Sequence, residues 1–280
     1  MSQVIKVGVV KAGCIGTVPL FEFLLDERAE RSDIDVRVIG SGAKLGPKQC
    51  REVTSWIIQE KPNLIIFIGP AQQTKGPTEA RRMLVDAGIP TVVVSDGPTR
   101  RITKDLEEAG LGYIIINADS MIGARREFLD PIEMALYNAD VIKVLAITGV
   151  LNVIVREIDE IIQSLKNGEK PKLPRIIVDK EKAVEAANFK NSYAKAKAIA
   201  AHEISRHVAE LNMEACFKVV KRINYVPLTA AGHEMMRIAA KLADEVRETE
   251  KSNDSILRKP HYDNGSSGIK RSLIEKPIKA

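Results

Sequence analysis

The chain has 280 residues, of which 45% are hydrophobic, 28% are charged and only 4% are aromatic. This balance is typical of a soluble globular protein with one large or two modest domains, and it excludes disordered, fibrous and disulfide-stapled proteins. The sequence shows no apolar run of the roughly 18 to 20 residues that a membrane-spanning helix needs, and no secretory signal pattern. We therefore expect a cytoplasmic protein that does not bind a membrane.

Charge and cysteine content narrow the function classes further. Lys and Arg number 42 against 37 Asp and Glu, so the formal net charge is +5. The excess favours anionic ligands, but it is spread along the chain and does not form the basic block of a nucleic-acid-binding protein. Cys14, Cys50 and Cys216 are widely spaced, which argues against a disulfide framework and against a Cys-x-x-Cys site. We expect reduced thiols and no bound nucleic acid.

Short β-branched runs alternate with helical patterns over the first part of the chain. The predicted strands are Val4–Val10, Val36–Ile39, Leu64–Ile68, Thr91–Val94 and Tyr113–Ile116. Several are apolar throughout, which is typical of strands that helices cover on both faces of a parallel sheet. We therefore predict a doubly wound α/β coenzyme-binding domain over residues 1–125. Trp56 falls on an amphipathic helix of this domain and is interpreted as a core residue.

The pattern becomes mainly helical after the fifth strand. Apolar spacing predicts helices over residues 131–165, 192–211 and 230–249, a brief strand at Arg175–Val178 and a second small strand region around Cys216 to Pro227. The predicted fold class is α/β, with a mainly parallel sheet followed by a helical region, residues 126–250, that has a small extra sheet. Residues 251–280 form a polar extension whose composition is equally typical of a mobile tail.

The first predicted strand runs into the turn Gly13–Thr17 and then into a helix. Ligands of open parallel sheets bind beyond the carboxyl ends of the strands. Glycines let backbone N–H groups approach a ligand, and a helix start favours a phosphate or an acidic ring edge. Lys11 stands where the dinucleotide fingerprint has its first glycine, so the pattern is weak for NAD. A plain strand-to-helix turn is the alternative.

Asp96 ends the fourth predicted strand and precedes Gly97 and Pro98. An Asp at such a position most often initiates a turn. A carboxylate beyond a strand end also suits a cationic or amide-rich ring. We therefore consider Asp96 a candidate site residue beside its structural interpretation.

Two adjacent arginines, Arg125 and Arg126, stand at the junction of the two predicted regions. Paired guanidinium groups suit the carboxylates or phosphates of a ligand, or an ion pair between subunits, and we weigh these interpretations equally. Asp130 before Pro131, with Glu133 three residues on, is a helix N-cap pattern and is interpreted as structural.

The histidines do not predict a metal centre. The segment His233–Arg237 begins like the zinc motif H-E-x-x-H, but Arg237 occupies the position of the second ligand. The sequence also lacks a nucleophile elbow and a P-loop lysine. A reaction that needs only the positioning of its reactants is therefore favoured.

Several blocks of the sequence resemble one known family. They are Lys11–Thr17, Leu24–Ala29, Gly110–Ile114, Gly123–Asn138, Ala231–Arg237 and Glu250–Asp254. Together they resemble the deazaflavin-dependent methylenetetrahydromethanopterin dehydrogenases of methanogenic archaea and their relatives. The match runs in order over nearly the whole chain.

The resemblance implies a reversible hydride transfer in archaeal one-carbon metabolism. The reactants would be methylene-tetrahydromethanopterin and coenzyme F-420, an 8-hydroxy-5-deazaflavin that binds as a dissociable cosubstrate, with no metal and no bound flavin. It also implies an α/β domain with a helical region and a small sheet, assembled as homohexamers built from dimers. Because the two neighbouring nitrogens stabilise the methenyl cation that remains, the protein needs only to stack the two rings and exclude water.

The resemblance further implies roles for individual residues. Asp96 and Glu127 would stabilise the developing cation electrostatically. The other proposed contacts are those to the deazaflavin ring by Gly13, Cys14, Ile15, Gly16 and Thr17, the cleft floor formed by Gly69 and Pro70, and the contacts to anionic tails by Arg125, Arg126 and Lys44.

Two loops depart from the family pattern. The first loop of the family usually reads Cys-Gly-Asn where this chain has Ala12–Cys14, and an Asn usually follows Gly-Pro where this chain has Ala71. Each departure removes an amide from the cleft. An NADP-dependent methylene-pterin dehydrogenase and a non-catalytic pterin- or deazaflavin-binding protein therefore remain alternatives.

Overall fold

The computed structural model describes residues 4–26, 31–120 and 130–279. The chain folds into two compact units, each discontinuous in sequence. Unit 1 takes the residues up to Ile116 together with 154–177 and 261–266, and unit 2 takes 117–153, 178–260 and 267 onwards. The predicted boundary between residues 125 and 126 lies outside the described residues. The predicted division into 1–125, 126–250 and 251–280 stays a prediction.

One large sheet confirms the predicted fold class. Its strands are β1 (Ile5–Lys11), β2 (Ile34–Gly40), β3 (Leu64–Ile68), β4 (Thr91–Asp96), β5 (Gly112–Ile116) and β6 (Arg175–Val178). Their spatial order is β2-β1-β3-β4-β5-β6, and the pairs from β2 to β5 are parallel. The order reverses between β1 and β3, which is where such sheets bind ligands.

The sequence accounts for the positions of the strands in the sheet. Every residue of β3, β4 and β5 is buried, as their continuous apolar runs predict. The edge strand β2 instead carries the exposed ion pair Asp35–Arg37. Charged side chains on an edge strand hinder its pairing with another chain.

Helices alternate with the strands up to β5, and most of the chain after β5 is helical. They are α1 (Thr17–Asp26), α2 (Pro47–Gln59), α3 (Lys75–Asp86), α4 (Thr103–Glu108), α5 (Pro131–Thr148), α6 (Val150–Lys166), α7 (Lys180–Ala187), α8 (Ser192–Phe217) and α9 (Arg222–Ser252), with a 3-10 helix at Gly97–Ile102. Helices α2, α3 and α4 pack with the sheet around Phe67 and Ile115, which are fully buried. None of the described helices combines the length and apolar character needed to cross a membrane.

The interpretation of Trp56 as a core residue is wrong. Its residue is 50% exposed, whereas Cys50, Val53 and Ile57 on the same helix are buried. Successive helix residues are about 100° apart, so a residue next to the buried stripe turns its side chain away from the core. The buried face of α2 is therefore formed by residues smaller than Trp56.

Unit 2 contains a helical bundle in which α8 and α9 pack along each other and against α5. Small residues dominate the buried faces of the long pair. Those that are fully buried include Ala194, Ala198 and Ala201 on α8 and Ala239 and Ala243 on α9. Small side chains let the two helix backbones approach closely, so the pair makes a long continuous contact.

The strand region predicted around Cys216 to Pro227 is wrong. Helix α8 continues to Phe217, and α9 begins at Arg222 with Pro227 inside it. The β-branched and aromatic residues of this stretch favour strands locally, but burial of Tyr225 on α9 outweighs that preference.

The small sheet lies further along the chain than predicted. Strands β7 (Gly268–Ile269) and β8 (Ile278–Lys279) pair antiparallel. Arg258 and Lys270 also exchange backbone hydrogen bonds, both 2.9 Å long. The polar extension thus carries paired structure within its described residues.

Asp130 begins helix α5 as the sequence predicts. Its Oδ1 accepts hydrogen bonds from the backbone nitrogens of Ile132 at 2.8 Å and Glu133 at 3.4 Å. We expect Asp130→Ala to lower the free energy of unfolding by about 1 kcal/mol, because two N–H groups at the helix start lose their partner. Urea denaturation measures the loss. Asp130→Asn keeps a capping oxygen and should retain most of the stability; an equal loss in both variants would contradict the capping role.

A buried charge network joins distant segments of unit 1. Arg31 donates through Nε and Nη2 to the two carboxylate oxygens of Asp33, each at 2.7 Å. Lys166 Nζ lies 3.0 Å from Asp33 Oδ2 and donates to the carbonyl of Asn264 at 2.7 Å. Burial alone would raise the pKa of Asp33, but the hydrogen bonds from Arg31 and Lys166 outweigh it and lower that pKa.

The segment 261–266 fits tightly against this network. His261 Nε2 lies 2.6 Å from Asp159 Oδ2, and Ser32 donates its backbone N–H to Asp263 at 2.8 Å. A Cβ on Gly265 would stand 1.9 Å from Asp33 Oδ2. Only glycine therefore fits at this position without moving the buried carboxylate.

Candidate active site

The loops after β1 and β3 lie side by side at the carboxyl edge of the sheet in unit 1. Ala12 donates its N–H to Ile68 O at 2.8 Å, and Gly69 donates its N–H to Val94 O at 3.1 Å. The strand pairing thus continues into the loops at the point where the strand order reverses. Parallel topology brings the predicted turn Gly13–Thr17 next to the predicted cleft floor at Gly69 and Pro70.

Glycine is required at two of the predicted site positions because the loops approach each other closely. A Cβ on Gly69 would stand 1.9 Å from the carbonyl oxygen of Ala12. Gly13 has a φ of +83°, and a Cβ there would stand 3.0 Å from Leu45 and 3.1 Å from Pro70. These glycines let two backbone turns meet where a ligand is expected.

The residues of the first turn differ in their accessibility. Ile15 and Thr17 are fully buried, and Gly16 is buried as well. Cys14 is exposed, and Pro70 on the neighbouring loop is partly exposed. Cys14 and Pro70 are therefore the predicted ring-binding residues with the most accessible surface.

Lys44 lies on a loop that is tied to the same turn. Ser41 donates its backbone N–H to Lys11 O at 2.9 Å and its hydroxyl to Lys44 O at 2.7 Å. Gly13 N donates to Ser41 Oγ at 3.4 Å. The exposed Lys44 is thus held near the first turn.

Asp96 lies at the carboxyl end of β4 and is only 4% exposed. It precedes the 3-10 helix, but its side chain makes no capping hydrogen bond there. Ser95 Oγ lies 3.3 Å from Asp96 Oδ1 and makes a shorter bond, 2.7 Å, to Gly69 O. The carboxylate is therefore held close to the β3 loop, and a helix cap does not explain its position.

Three predicted site residues, Glu127, Arg125 and Arg126, lie outside the described residues. Their roles stay predictions: that of Glu127 rests on the resemblance, and those of Arg125 and Arg126 rest on the resemblance and on their paired guanidinium groups.

A buried network beneath the β3 loop was not predicted from the sequence. Arg81 of α3 is 8% exposed, and its Nη1 donates to both oxygens of Gln72, at 2.6 Å to the backbone O and 2.9 Å to Oε1. Gln72 Nε2 donates to Gly69 O at 3.0 Å. Burial lowers the pKa of Arg81 to about 10, and Asp105 acts in the opposite direction. The signal was present, because Arg81 falls on the buried stripe of α3 with Leu84.

Unit 2 holds a second group of buried polar residues that follows β5. Tyr137 donates its hydroxyl to Ser120 O at 2.6 Å and accepts from Asn212 Nδ2 at 2.8 Å. Its ring stacks on His233 with centroids 4.0 Å apart, and His233 Nδ1 lies 3.1 Å from Glu133 Oε1. Burial raises the pKa of Tyr137. Burial also lowers the pKa of His233, and the hydrogen bond and charge of Glu133 oppose part of that decrease. Two blocks that carry the resemblance therefore meet here.

Cys14, Cys50 and Cys216 form no disulfide bond with one another. Within residues 4–26, 31–120 and 130–279, no cluster of three or more His, Cys, Asp or Glu side chains is arranged to hold a metal ion.

Comparison with known proteins gives matches over almost the full length. A family model described as methylene-5,6,7,8-tetrahydromethanopterin dehydrogenase matches residues 5–278. The chain is 50% identical over 276 residues to the F420-dependent methylenetetrahydromethanopterin dehydrogenase of Methanocaldococcus jannaschii, and 51% identical over 275 residues to the protein of that name from Archaeoglobus fulgidus. Each alignment covers 98% of this chain and 100% of the relative.

A solved structure gives the same result. It is an F420-dependent methylene-tetrahydromethanopterin dehydrogenase in complex with methylene-tetrahydromethanopterin and coenzyme F420. It is similar to this chain with a TM-score of 0.94 at 43% identity, over 98% of this chain and 100% of that one. The chain therefore belongs to the methylene-5,6,7,8-tetrahydromethanopterin dehydrogenase family.

Proposed function

We propose that the protein catalyses reversible hydride transfer between methylene-tetrahydromethanopterin and coenzyme F-420. The observation that carries this proposal is the full-length match to relatives of that activity, together with a TM-score of 0.94 to a structure that holds both reactants. In the direction of coenzyme reduction, the methylene carbon loses a hydride and the methenyl cation remains. The deazaflavin, when bound, supplies the acceptor for that hydride and takes up one proton from solvent.

Two turns of unit 1 are proposed to hold the deazaflavin ring. Their members are Gly13, Cys14, Ile15, Gly16 and Thr17 in the first turn and Gly69 and Pro70 in the second. The close approach of Gly13 to Pro70 supports this assignment, because it makes one continuous backbone surface at the switch point of the sheet. Backbone atoms of two adjoining turns can contact one face of a planar ring and exclude water from it.

Asp96 is proposed to stabilise the methenyl cation. Its burial supports the role, because a fixed negative charge that is poorly screened by water stabilises a positive product strongly. Glu127 is proposed for the same role on the strength of the resemblance.

Arg125, Arg126 and Lys44 are proposed to meet the anionic tails of the two reactants. We expect Arg125→Ala or Arg126→Ala to raise KM about tenfold with little change in kcat, because the tails are bound alike in ground and transition states. Steady-state kinetics with each reactant varied in turn measures the effect. A changed oligomer size with normal kinetics per intact assembly would instead support an ion pair between subunits.

Location and assembly are also proposed, the first from the lack of a membrane-spanning run and a secretory pattern in the sequence, and the second from the resemblance. We place the protein in the cytoplasm and expect a homohexamer built from dimers. Light scattering of the purified protein would test the assembly, with a mass of six chains expected.

One anaerobic assay tests the proposed function against its alternatives. The protein is incubated with methylene-tetrahydromethanopterin and, separately, with the deazaflavin coenzyme, NADP or NAD, while reduction of each acceptor is followed by absorbance. Bleaching of the deazaflavin supports the proposal. Turnover with NADP alone rejects it in favour of a nicotinamide enzyme, and tight binding without turnover supports a non-catalytic binding protein.

A further inference from the structure

The loop that follows β3 holds an unfavourable backbone conformation. Ala71 has a φ of +52°, in the left-handed region that residues with a Cβ rarely adopt. Its carbonyl accepts hydrogen bonds from the backbone N–H of Thr74 at 2.9 Å and from the Thr74 hydroxyl at 2.8 Å. Such a conformation persists only where the surrounding contacts hold it.

Two buried side chains hold the start of this loop. The carbonyl oxygen of Gly69 accepts hydrogen bonds from Ser95 Oγ at 2.7 Å and from Gln72 Nε2 at 3.0 Å. Ser95 and Gln72 are both fully buried. The orientation of Gly69, and with it the position of Pro70, therefore depends on which way the Gln72 amide faces.

Arg81 decides the orientation of that amide. A guanidinium group can donate hydrogen bonds but has no acceptor, so Gln72 must turn Oε1 towards Arg81 Nη1. The amide nitrogen of Gln72 is then left to face Gly69 O. The same Nη1 also binds the backbone oxygen of Gln72, which fixes the residue at both ends.

Stability alone does not account for an arginine at this position. None of the salt bridges in the described part of the chain includes Arg81, although its side chain is almost fully buried, and the charge of Asp105 offsets only part of the cost of that burial. A buried cation without an ion partner is costly, and an apolar residue of similar size is often as stable or more so. The free-energy cost of burying Arg81 is therefore consistent with a role in holding the orientation of Gln72.

We infer that Arg81 is a positioning residue for the deazaflavin-binding loop: through the amide of Gln72 it holds Gly69–Ala71 in the conformation that receives the ring. This inference rests on the proposed function of that loop. Arg81 acts through Gln72 and Gly69 and does not itself touch a reactant.

The test begins with Arg81→Met, which removes the donor and keeps an apolar chain of comparable length. We expect KM for the deazaflavin coenzyme to rise about tenfold while kcat falls less than about twofold, because the loop contacts the ring equally in the ground state and the transition state. Arg82→Met is the matched control, since Arg82 is the exposed neighbour on the same helix. Its KM should remain that of the wild type.

A second substitution separates positioning from a loss of folded protein. Glycine adopts positive φ without strain, so Arg81→Met/Ala71→Gly should recover most of the lost affinity for the coenzyme. A variant that had merely lost folded enzyme would show a lower kcat at unchanged KM, and glycine at residue 71 would not restore it. That outcome would overturn the inference.

If Arg81→Met does not fold, Gln72→Glu serves instead. The new carboxylate accepts from Arg81 and forms an ion pair with it, but it has no N–H for Gly69 O. KM for the coenzyme should again rise about tenfold in a protein that remains folded. An unchanged KM would overturn the inference.

The failure of the inference and that of the proposed function give different results. Wild-type turnover of the deazaflavin together with an unchanged KM in Arg81→Met overturns the inference alone. If the wild type does not turn the deazaflavin over, amide hydrogen exchange of the ligand-free protein decides. Faster exchange at Gly69 and Thr74 in Arg81→Met than in Arg82→Met supports the positioning role, and equal exchange overturns it.

Discussion

Replacing Asp96 with alanine should lower kcat about a hundredfold, while KM for methylene-tetrahydromethanopterin changes by less than about threefold. The reason is that positive charge develops on the pterin only as the hydride leaves. A group that stabilises this charge contributes little to the binding of the neutral methylene form. Steady-state kinetics with purified, folded variant measures both constants.

Asp96→Asn is the informative companion variant. It keeps the shape of the side chain and an oxygen that accepts hydrogen bonds, but it has no charge. If electrostatic stabilisation is the role of Asp96, asparagine should lower kcat nearly as much as alanine does. A variant with normal kcat and a raised KM would show instead that Asp96 only binds the substrate.

Replacing Asp33 with asparagine should have the largest effect on stability, a loss of about 3 to 5 kcal/mol in the free energy of unfolding at neutral pH. Asp33 is 1% exposed and is the partner of both Arg31 and Lys166. Without its charge, Lys166 stays largely buried with no ion partner at this position, and Arg31 stays buried with only Asp159, whose Oδ1 lies 3.9 Å from its Nη1. Urea denaturation monitored by circular dichroism measures the loss.

The sign of the pH dependence provides a second check. Because the folded pKa of Asp33 is below its ordinary value of 3.8, its stabilisation is complete above that value and is lost as pH falls through the folded pKa. The wild type should therefore lose stability in acid more steeply than Asp33→Asn, and the two should converge. Asp35→Asn is the control, since the exposed pair Asp35–Arg37 is worth no more than about 1 kcal/mol. A constant difference between wild type and Asp33→Asn down to about pH 3 would contradict the assignment.

Much of the sheet could be predicted because its signal is local. The apolar runs of β3, β4 and β5 demand cover on both faces, and turn residues mark their ends. The stretch Cys216 to Pro227 misled the prediction for the converse reason. Its strand preference is local too, but packing of two long helices, including the burial of Tyr225, determines its structure.

The candidate site also has some features that local sequence patterns predict and others that depend on tertiary packing. The meeting of the Gly13 and Gly69 turns follows from parallel topology, which the strand pattern predicts. The hydrogen bond from Arg81 to Gln72 depends on the orientation of one buried side-chain amide. The stacking of Tyr137 on His233 joins residues that are 96 positions apart. The buried stripe of α3 indicates that Arg81 is buried, but no local pattern identifies the partners in these contacts. They could be found only once helices α3, α5 and α9 had been placed.

The discontinuity of unit 1 has a consequence for how the protein is made. Ser32 bonds to Asp263 across 231 positions, and Asp33 is enclosed by Lys166 and by the close approach of Gly265. A nascent chain can therefore form its early strands on the ribosome, but unit 1 lacks its last segment until residues 261–266 have been made. Truncation before residue 261 should leave the sheet intact but remove the segment that covers Asp33 and Asp159, so unit 1 should be less stable than in the full chain.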